Sequence, residues 1–249
     1  MSSLSSEDET PTRTEAWQCD GTSNDDLVRK LKQAGAFSSQ RIAQALSVID
    51  RGDFVRFRDF AYVDAPQRMG EGWSISAPHL HANALQVLSS RLCYGCRCLD
   101  IGCGSGYITA AMAFMVSGTP EKQTEKSQGV GFVLGIDIVP SAVESASKII
   151  ESKYPHLKGV IEFEVADGWR GAPERGPFDI IHCGAAVEGS TIPQTLLSQL
   201  ASGGRMLICV GGLLLKVDKY VDEQSGSVKT KAEVIYEGAG FTPLQKEAE

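Results

Sequence analysis

Three glycines spaced two apart, Gly102, Gly104 and Gly106, follow the apolar run Cys98-Leu99-Asp100-Ile101 and precede Tyr107. Glycines so placed let the backbone turn tightly and approach a ligand, with free N–H groups of a helix terminus close by. The chemistry this suits is nucleotide-like binding. A dinucleotide fingerprint, G-x-G-x-x-G, would need a small residue where Tyr107 stands. Asp100 also puts negative charge just before the first glycine, which opposes a pyrophosphate and favours a cation.

Two more aspartates follow apolar runs, Asp137 after Leu134-Gly135-Ile136 and Asp167 after Val165-Ala166. Asp137 can accept both hydroxyls of a ribose, and Asp167 with Gly168 is placed to meet an adenine amino edge. Taken singly, an aspartate after a strand also reads as a helix N-cap. Three of them at successive strand ends favour a ligand, because open α/β sheets bind ligands there. S-adenosylmethionine has no phosphate and carries a sulfonium and an ammonium group, so this set reads as a methyltransferase site in preference to that of a nicotinamide dehydrogenase.

Other reactive side chains argue for less. His79 and His81 stand two apart, as Cys96 and Cys98 do, with Cys93 just upstream. An i, i+2 pair on a helix points to different sides and no further ligands stand at zinc-like spacing, so no metal is expected. Cys93-Tyr94-Gly95-Cys96 reads either as a redox pair or as a turn packed with small residues. His182 lies in an apolar run and reads as a packed core histidine, not a base. Trp73 either covers the ligand or simply packs.

The elements that must hold these residues follow from periodicity. Leu27, Val28, Leu31 and Ala34 repeat at helical spacing behind acidic residues and ahead of Gly35. A second helix is expected from Ser38 or Ser39 to near Gly52, residues 60–76 form a loop, and a third helix runs over 78–92 with Pro78 in its first turn. Strands are expected at 98–101, 132–137, 160–165, 178–183 and 205–210. Helices are expected at 107–116, at 141–152 and through Leu196, Leu197 and Leu200 to a stop at Gly203-Gly204. This alternation predicts an α/β fold, a doubly wound, mainly parallel sheet covered on both faces. The tail beyond Lys216 alternates weakly and predicts an antiparallel hairpin. Residues 1–21, rich in Ser, Thr, Glu and Asp, read as a disordered acidic arm. The polar stretch 117–129 reads as a surface loop, a tolerated insertion or a substrate lid.

Composition bounds the partners. The chain has 249 residues, 24 Lys plus Arg and 31 Asp plus Glu, a net charge of −7 that argues against a nucleic-acid partner. No apolar run is long enough for a membrane span, and the polar N-terminus lacks the basic and apolar regions of a signal peptide. A cytoplasmic monomer is expected, with seven cysteines, an odd number, kept reduced. Without the arm and the loop, about 215 residues remain, the size of one domain, so 22–249 is expected to be a single methyltransferase domain.

Two further stretches carry a family resemblance. Ala61-Tyr62-Val63-Asp64-Ala65-Pro66-Gln67-Arg68-Met69-Gly70, followed by Ser74-Ile75-Ser76-Ala77-Pro78-His79-Leu80-His81-Ala82, resembles the signature of the protein-L-isoaspartate (D-aspartate) O-methyltransferase family. The resemblance runs in order from about Asn24 through Gly211. It implies a repair enzyme that methylates L-isoaspartyl residues, at their free α-carboxyl, and D-aspartyl residues in damaged proteins and peptides, using S-adenosylmethionine. Its fold is a methyltransferase Rossmann sheet, with N-terminal helices and an altered order at the last strands. The resemblance makes Ser76 the active-site residue and implies a cofactor site of Ser74, Ile75, Ser76, His81, Asp100, Gly102, Gly104, Asp137, Ile138, Asp167 and Gly168. The chain departs from the pattern at Cys103 and in its tail, where Phe241-Thr242-Pro243-Leu244 stands for a segment reading Val-x-Phe/Tyr-Val-Pro-Leu, so no tail residue enters the expected site. A catalytically silent relative using the pocket as a binding module is the alternative of a different class, and a methyltransferase of small metabolites is the alternative among enzymes.

Overall fold

The computed structural model describes residues 19–70, 73–117 and 131–245. The expectations for the arm over 1–18 and for the loop over 118–129 lie outside these residues.

Helix α1, Asn24–Gln33, starts where Ser23 accepts from the Asp26 N–H at 3.2 Å, carries Asp25 and Asp26 in its first turn, and ends before Gly35 at φ 81°. It buries Leu27, Val28 and Leu31, and the Asn24 amide donates to the Leu46 carbonyl at 2.7 Å, tying it to α2, Gln40–Val48. The second helix was expected to continue to Gly52. It stops at Val48 because Asp50 accepts from the Gly52 N–H and opens a separate 3₁₀ turn, Arg51–Asp53, which turns the Arg51 side chain inward. Of the expected arm, residues 19–21 are instead part of the fold: Cys19 is buried, and Gly21 donates to the Tyr62 carbonyl at 2.8 Å.

The expected loop over 60–76 contains a small antiparallel hairpin, β1 Gln67–Gly70 and β2 Trp73–Ile75, with Gln67 opposite Ile75. A hairpin this short lacks independent stability; its position against the rest of the molecule supplies it, which the local pattern cannot announce. Helix α3, Pro78–Leu88, buries His81, Ala82, Ala84, Leu85 and Leu88 and ends four residues earlier than expected.

The main sheet follows: β3 Arg97–Ile101, β4 Phe132–Asp137, β5 Ile161–Val165, β6 Phe178–Val187, β7 Leu200–Val210, β8 Leu213–Val221 and β9 Val228–Glu237. Their order is β5-β4-β3-β6-β7-β8-β9. The first five run parallel and β8 and β9 return antiparallel as successive neighbours, the hairpin expected of the tail and an altered order at the last strands. Between the strands lie α4 Tyr107–Ser117, α5 Pro140–Lys153 and α6 Gln194–Gln199. Helix α6 does not reach Gly203-Gly204 as expected. Gln199 is buried, its side chain bonded to the Ala172 N–H and the Arg170 carbonyl, and Leu200 already belongs to β7.

Alternation along β3 sends Cys98 to one face and Leu99 and Ile101 to the other. The first face packs under the N-terminal helices and α4, the second under α6, so two apolar layers share one sheet. Among the described residues, no helix is long and apolar enough to cross a membrane.

Candidate active site

At the carboxyl end of β3 the chain must turn sharply to enter α4, and Gly102, Gly104 and Gly106 do so at φ 71°, 52° and 82°. The Gly102 and Cys103 N–H groups donate to the Ile136 carbonyl at 2.8 and 3.0 Å, pinning the turn to β4. Asp137, at the end of β4, accepts from Gly104 N at 2.9 Å and from Val139 N at 3.0 Å. Burial pushes its carboxyl above the usual range, and these amides pull it back. The Trp73 ring lies over the turn, its Cε3 3.7 Å from where a Cβ on Gly104 would stand.

Around this turn lies a continuous cleft with two lobes. The larger, about 570 Å³, is lined by Ser74, Ile75, Ser76, His79, His81, Tyr107 and His182 among others. The smaller, about 80 Å³, is lined by Asp137, Ile138, Ala166 and Gly168, with Trp73 at its rim. The lobes share Ser74, Gly102, Gly104 and Gly184. Every expected site residue thus lines the cleft except two.

Asp100 is fully buried and turned away from it. One carboxylate oxygen accepts from His182 Nδ1 at 2.7 Å and the other from the Thr109 hydroxyl. The carboxylate expected at the cofactor thus lines neither lobe, and its oxygens are engaged by His182 and Thr109. The cause is parallel register: Asp100 pairs with His182 across β3 and β6, so both side chains leave the same face side by side. His182 is buried, as expected of a packed histidine, and it also lines the larger lobe. Asp167 accepts from Trp169 N at 2.8 Å, and its carbonyl takes the Arg170 and Gly171 N–H groups. This is the capping role that an aspartate after a strand can play, and only its neighbours Ala166 and Gly168 line the cleft.

The two signature stretches meet in space. Asp64 accepts from the His79 backbone N–H at 3.0 Å and bonds His79 Nδ1 at 2.8 Å. Behind them lies Arg51, fully buried, donating from Nη2 to the Ser76 carbonyl at 2.8 Å, from Nε to the Ala61 carbonyl at 3.1 Å and from Nη1 to His81 Nδ1 at 3.3 Å. Its guanidinium also faces the Tyr107 ring, 5.7 Å from the centroid. Burial pulls the Arg51 pKa down to about 10, which leaves it charged at neutral pH. Burial and then Arg51 hold His81 well below the usual histidine range.

Sequence reasoning missed Arg51, since nothing in Ile49-Asp50-Arg51-Gly52-Asp53 marks a buried cation. It also missed the tail. Ala186 of β6 donates to the Thr242 carbonyl at 2.8 Å and accepts from the Leu244 N–H at 2.7 Å. Thr242, Pro243 and Leu244 wall the smaller lobe, and Tyr236 and Phe241 the larger. The signal for this was Phe241-Thr242-Pro243-Leu244, whose register only the pairing with Ala186 fixes.

All seven cysteines are free thiols, with Cys93 exposed and Cys96 half-buried, its Sγ accepting from Cys93 N at 3.3 Å. Among the described residues no group of three or more His, Cys, Asp or Glu side chains is placed to hold a metal ion.

Comparison with known proteins bears on this cleft. The model of the protein-L-isoaspartate(D-aspartate) O-methyltransferase family matches residues 22–247. A Caenorhabditis elegans protein-L-isoaspartate O-methyltransferase is 37% identical over 237 residues, covering 94% of this chain and 97% of the relative. Protein-L-isoaspartate O-methyltransferase 2 of Arabidopsis thaliana is 38% identical over 226 residues, covering 90% of this chain and 68% of the relative. Among solved structures, a Plasmodium falciparum chain described as a protein-L-isoaspartate O-methyltransferase, in complex with S-adenosyl-L-homocysteine, superposes with a TM-score of 0.73 at 25% identity, covering 90% of this chain and 99% of that one.

Proposed function

The chain belongs to the protein-L-isoaspartate(D-aspartate) O-methyltransferase family, and from that premise we propose how its cleft divides the work. The protein is an S-adenosylmethionine-dependent repair methyltransferase acting on isoaspartyl-containing proteins. The observation that carries the division is the two-lobed cleft, with Asp137 in one lobe, Ser76 in the other and the glycine turn between them.

The residues suit this cofactor. The turn is bare of side chains where a ligand must approach, and the smaller lobe offers a carboxylate acceptor for a ribose diol where a phosphate would be repelled. We assign Asp137 to the ribose, and Ile138, Ala166 and Gly168, with Asp167 capping that turn, to the base. Gly102, Gly104, Ser74, Ile75 and His81 line the passage toward the reacting end. Bound there, S-adenosylmethionine supplies an electrophilic methyl group.

The acceptor is the free α-carboxyl of an L-isoaspartyl residue, whose ordinary pKa of about 3.3–3.7 leaves it ionised at neutral pH; in a D-aspartyl residue it is the side-chain carboxyl, with an ordinary pKa of about 3.9. No strong base is required. The protein's contribution is to hold the carboxylate in line and keep water out, with the Ser76 hydroxyl and nearby backbone N–H groups orienting its oxygens. Replacement of Ser76 by Ala is expected to lower turnover at least about tenfold, the scale of one lost orienting hydrogen bond, and to leave affinity for S-adenosylhomocysteine within about twofold. Titration calorimetry and a methyl-transfer assay read the two quantities separately; unchanged turnover removes Ser76 from the mechanism.

The partners we propose are isoaspartyl proteins and peptides, met by a monomeric, cytoplasmic protein in which residues 22–249 act as one domain. The single sheet shared by both apolar layers supports the last point, and the acidic balance supports the absence of nucleic acid. The deciding experiment is transfer of labelled methyl to an isoaspartyl peptide beside its aspartyl twin. Methylation of the first alone is expected. Activity on neither favours a binding module, and activity on small metabolites alone favours a different methyltransferase.

A further inference from the structure

Burying a guanidinium is costly unless its surroundings repay it; the groups Arg51 touches are two carbonyls, an imidazole nitrogen and a phenol ring, with the Asp64 carboxylate attracting it without a direct bond. An arginine can only donate. The contact with His81 Nδ1 therefore makes that nitrogen the acceptor and leaves the ring proton on Nε2. Because the Nδ1 edge faces Arg51 while the residue lines the larger lobe, Nε2–H is the edge offered to the cleft.

The sense of this polarity fits the reaction. Methyl transfer from a sulfonium to a carboxylate consumes a cation and an anion and yields two neutral groups. A full positive charge bonded to the carboxylate would hold the ground state more tightly than the transition state. A neutral N–H orients the oxygen without that drag.

We propose that Arg51 is a positioning residue that fixes the proton of His81 on Nε2, giving the cleft a neutral donor for a carboxylate oxygen, while the same fork holds the Ser76 carbonyl and so sets the Ser76 side chain. This rests on the methyltransferase reading. The charged and titratable groups facing His81 are Arg51 from the 3₁₀ turn, His79 on its own helix with Asp64 behind it, Tyr107 from α4, and His182 with Asp100 from the sheet.

The first test needs no turnover, so it stands or falls apart from the assigned activity. Nitrogen NMR of the full chain labelled in histidine, with His81 identified by loss of its signals in His81→Gln, is expected to show a bare Nδ1 and a protonated Nε2 from about pH 6 to 8. A proton on Nδ1, or a doubly protonated ring across that range, overturns the proposal. The second test separates charge from fork. Arg51→Met, checked for cooperative melting, is expected to lose at least about tenfold in kcat/KM and to move the acid limb of its pH profile up by about one unit or more, an effect cancelled in Arg51→Met with His81→Gln. Arg51→Lys keeps the charge, so its kcat falls without the shifted limb. A rise in peptide KM identifies the carboxylate as the substrate's, and a rise in the dissociation constant of S-adenosylhomocysteine as the cofactor's. A uniform loss in both variants, with native pH profile and native His81 tautomer, makes Arg51 structural only and overturns the proposal.

Discussion

Asp137 carries a carboxylate that folding partly removes from water, and its chemistry is visible in that cost. Its charged form is dearer in the folded chain than in the unfolded one, so its raised pKa takes stability away as pH rises through the folded value. A ligand that donates two hydroxyl hydrogens to the same oxygens repays this. Affinity for S-adenosylhomocysteine is therefore expected to weaken as pH falls, beginning above the ordinary carboxylate range, while Asp137→Asn binds about tenfold or more weakly with a flatter pH profile, measured by calorimetry. A wild-type affinity as flat as the variant's would take Asp137 out of the ribose site. At this scale the sequence was informative about residue type and less so about direction. Asp100, Asp137 and Asp167 all stand at strand ends, yet only Asp137 faces the cleft, because Asp100 finds His182 and Thr109 beside it and Asp167 finds its own turn.

The glycine turn shows what an element asks of its residues. At Gly106, φ is 82° and a Cβ would stand 2.9 Å from Phe163 Cζ and 3.0 Å from Ala146 Cβ, so both conformation and space are closed to a side chain. Gly106→Ala is expected to destabilise by about 2 kcal/mol or more. The comparison is Gly159→Ala, where φ is 86° with nothing within 4 Å, and only the conformational cost of about 1 kcal/mol applies. Denaturant midpoints of the two variants check the difference, and equal losses would mean that the packing of α5 and β5 does not constrain the turn. Elements with strong periodicity were legible: α1, α4, β3 and β4 lie within a residue or so of expectation. The hairpin β1–β2 and the break at Asp50 were not, since one depends on docking and the other on a single side-chain cap. Strand β9, exposed along its whole length, alternates Lys229, Lys231 and Glu233 with small and apolar residues. Charges so placed guard a free sheet edge against pairing with another chain.

Across the whole molecule, the cleft is closed by the chain's last described segment. Trp169 donates its indole N–H to the Leu244 carbonyl at 3.0 Å, and Thr242 and Leu244 pair with Ala186. Deleting residues 241–249 is expected to leave cooperative melting but weaken S-adenosylhomocysteine binding at least about tenfold, since one wall of the smaller lobe goes with it. Unchanged binding would assign the tail a purely structural part. The doubly wound sheet and the glycine turn were legible before folding, because apolar periodicity and backbone freedom are local properties written in consecutive residues, and the Ser76 stretch was legible through its resemblance to a family signature. Packing of distant segments set Asp100 against His182, Arg51 behind His81 and Ser76, and the tail along the cleft. Each of these joins residues far apart in the chain, and which way a polar side chain turns depends on the partner that packing brings beside it.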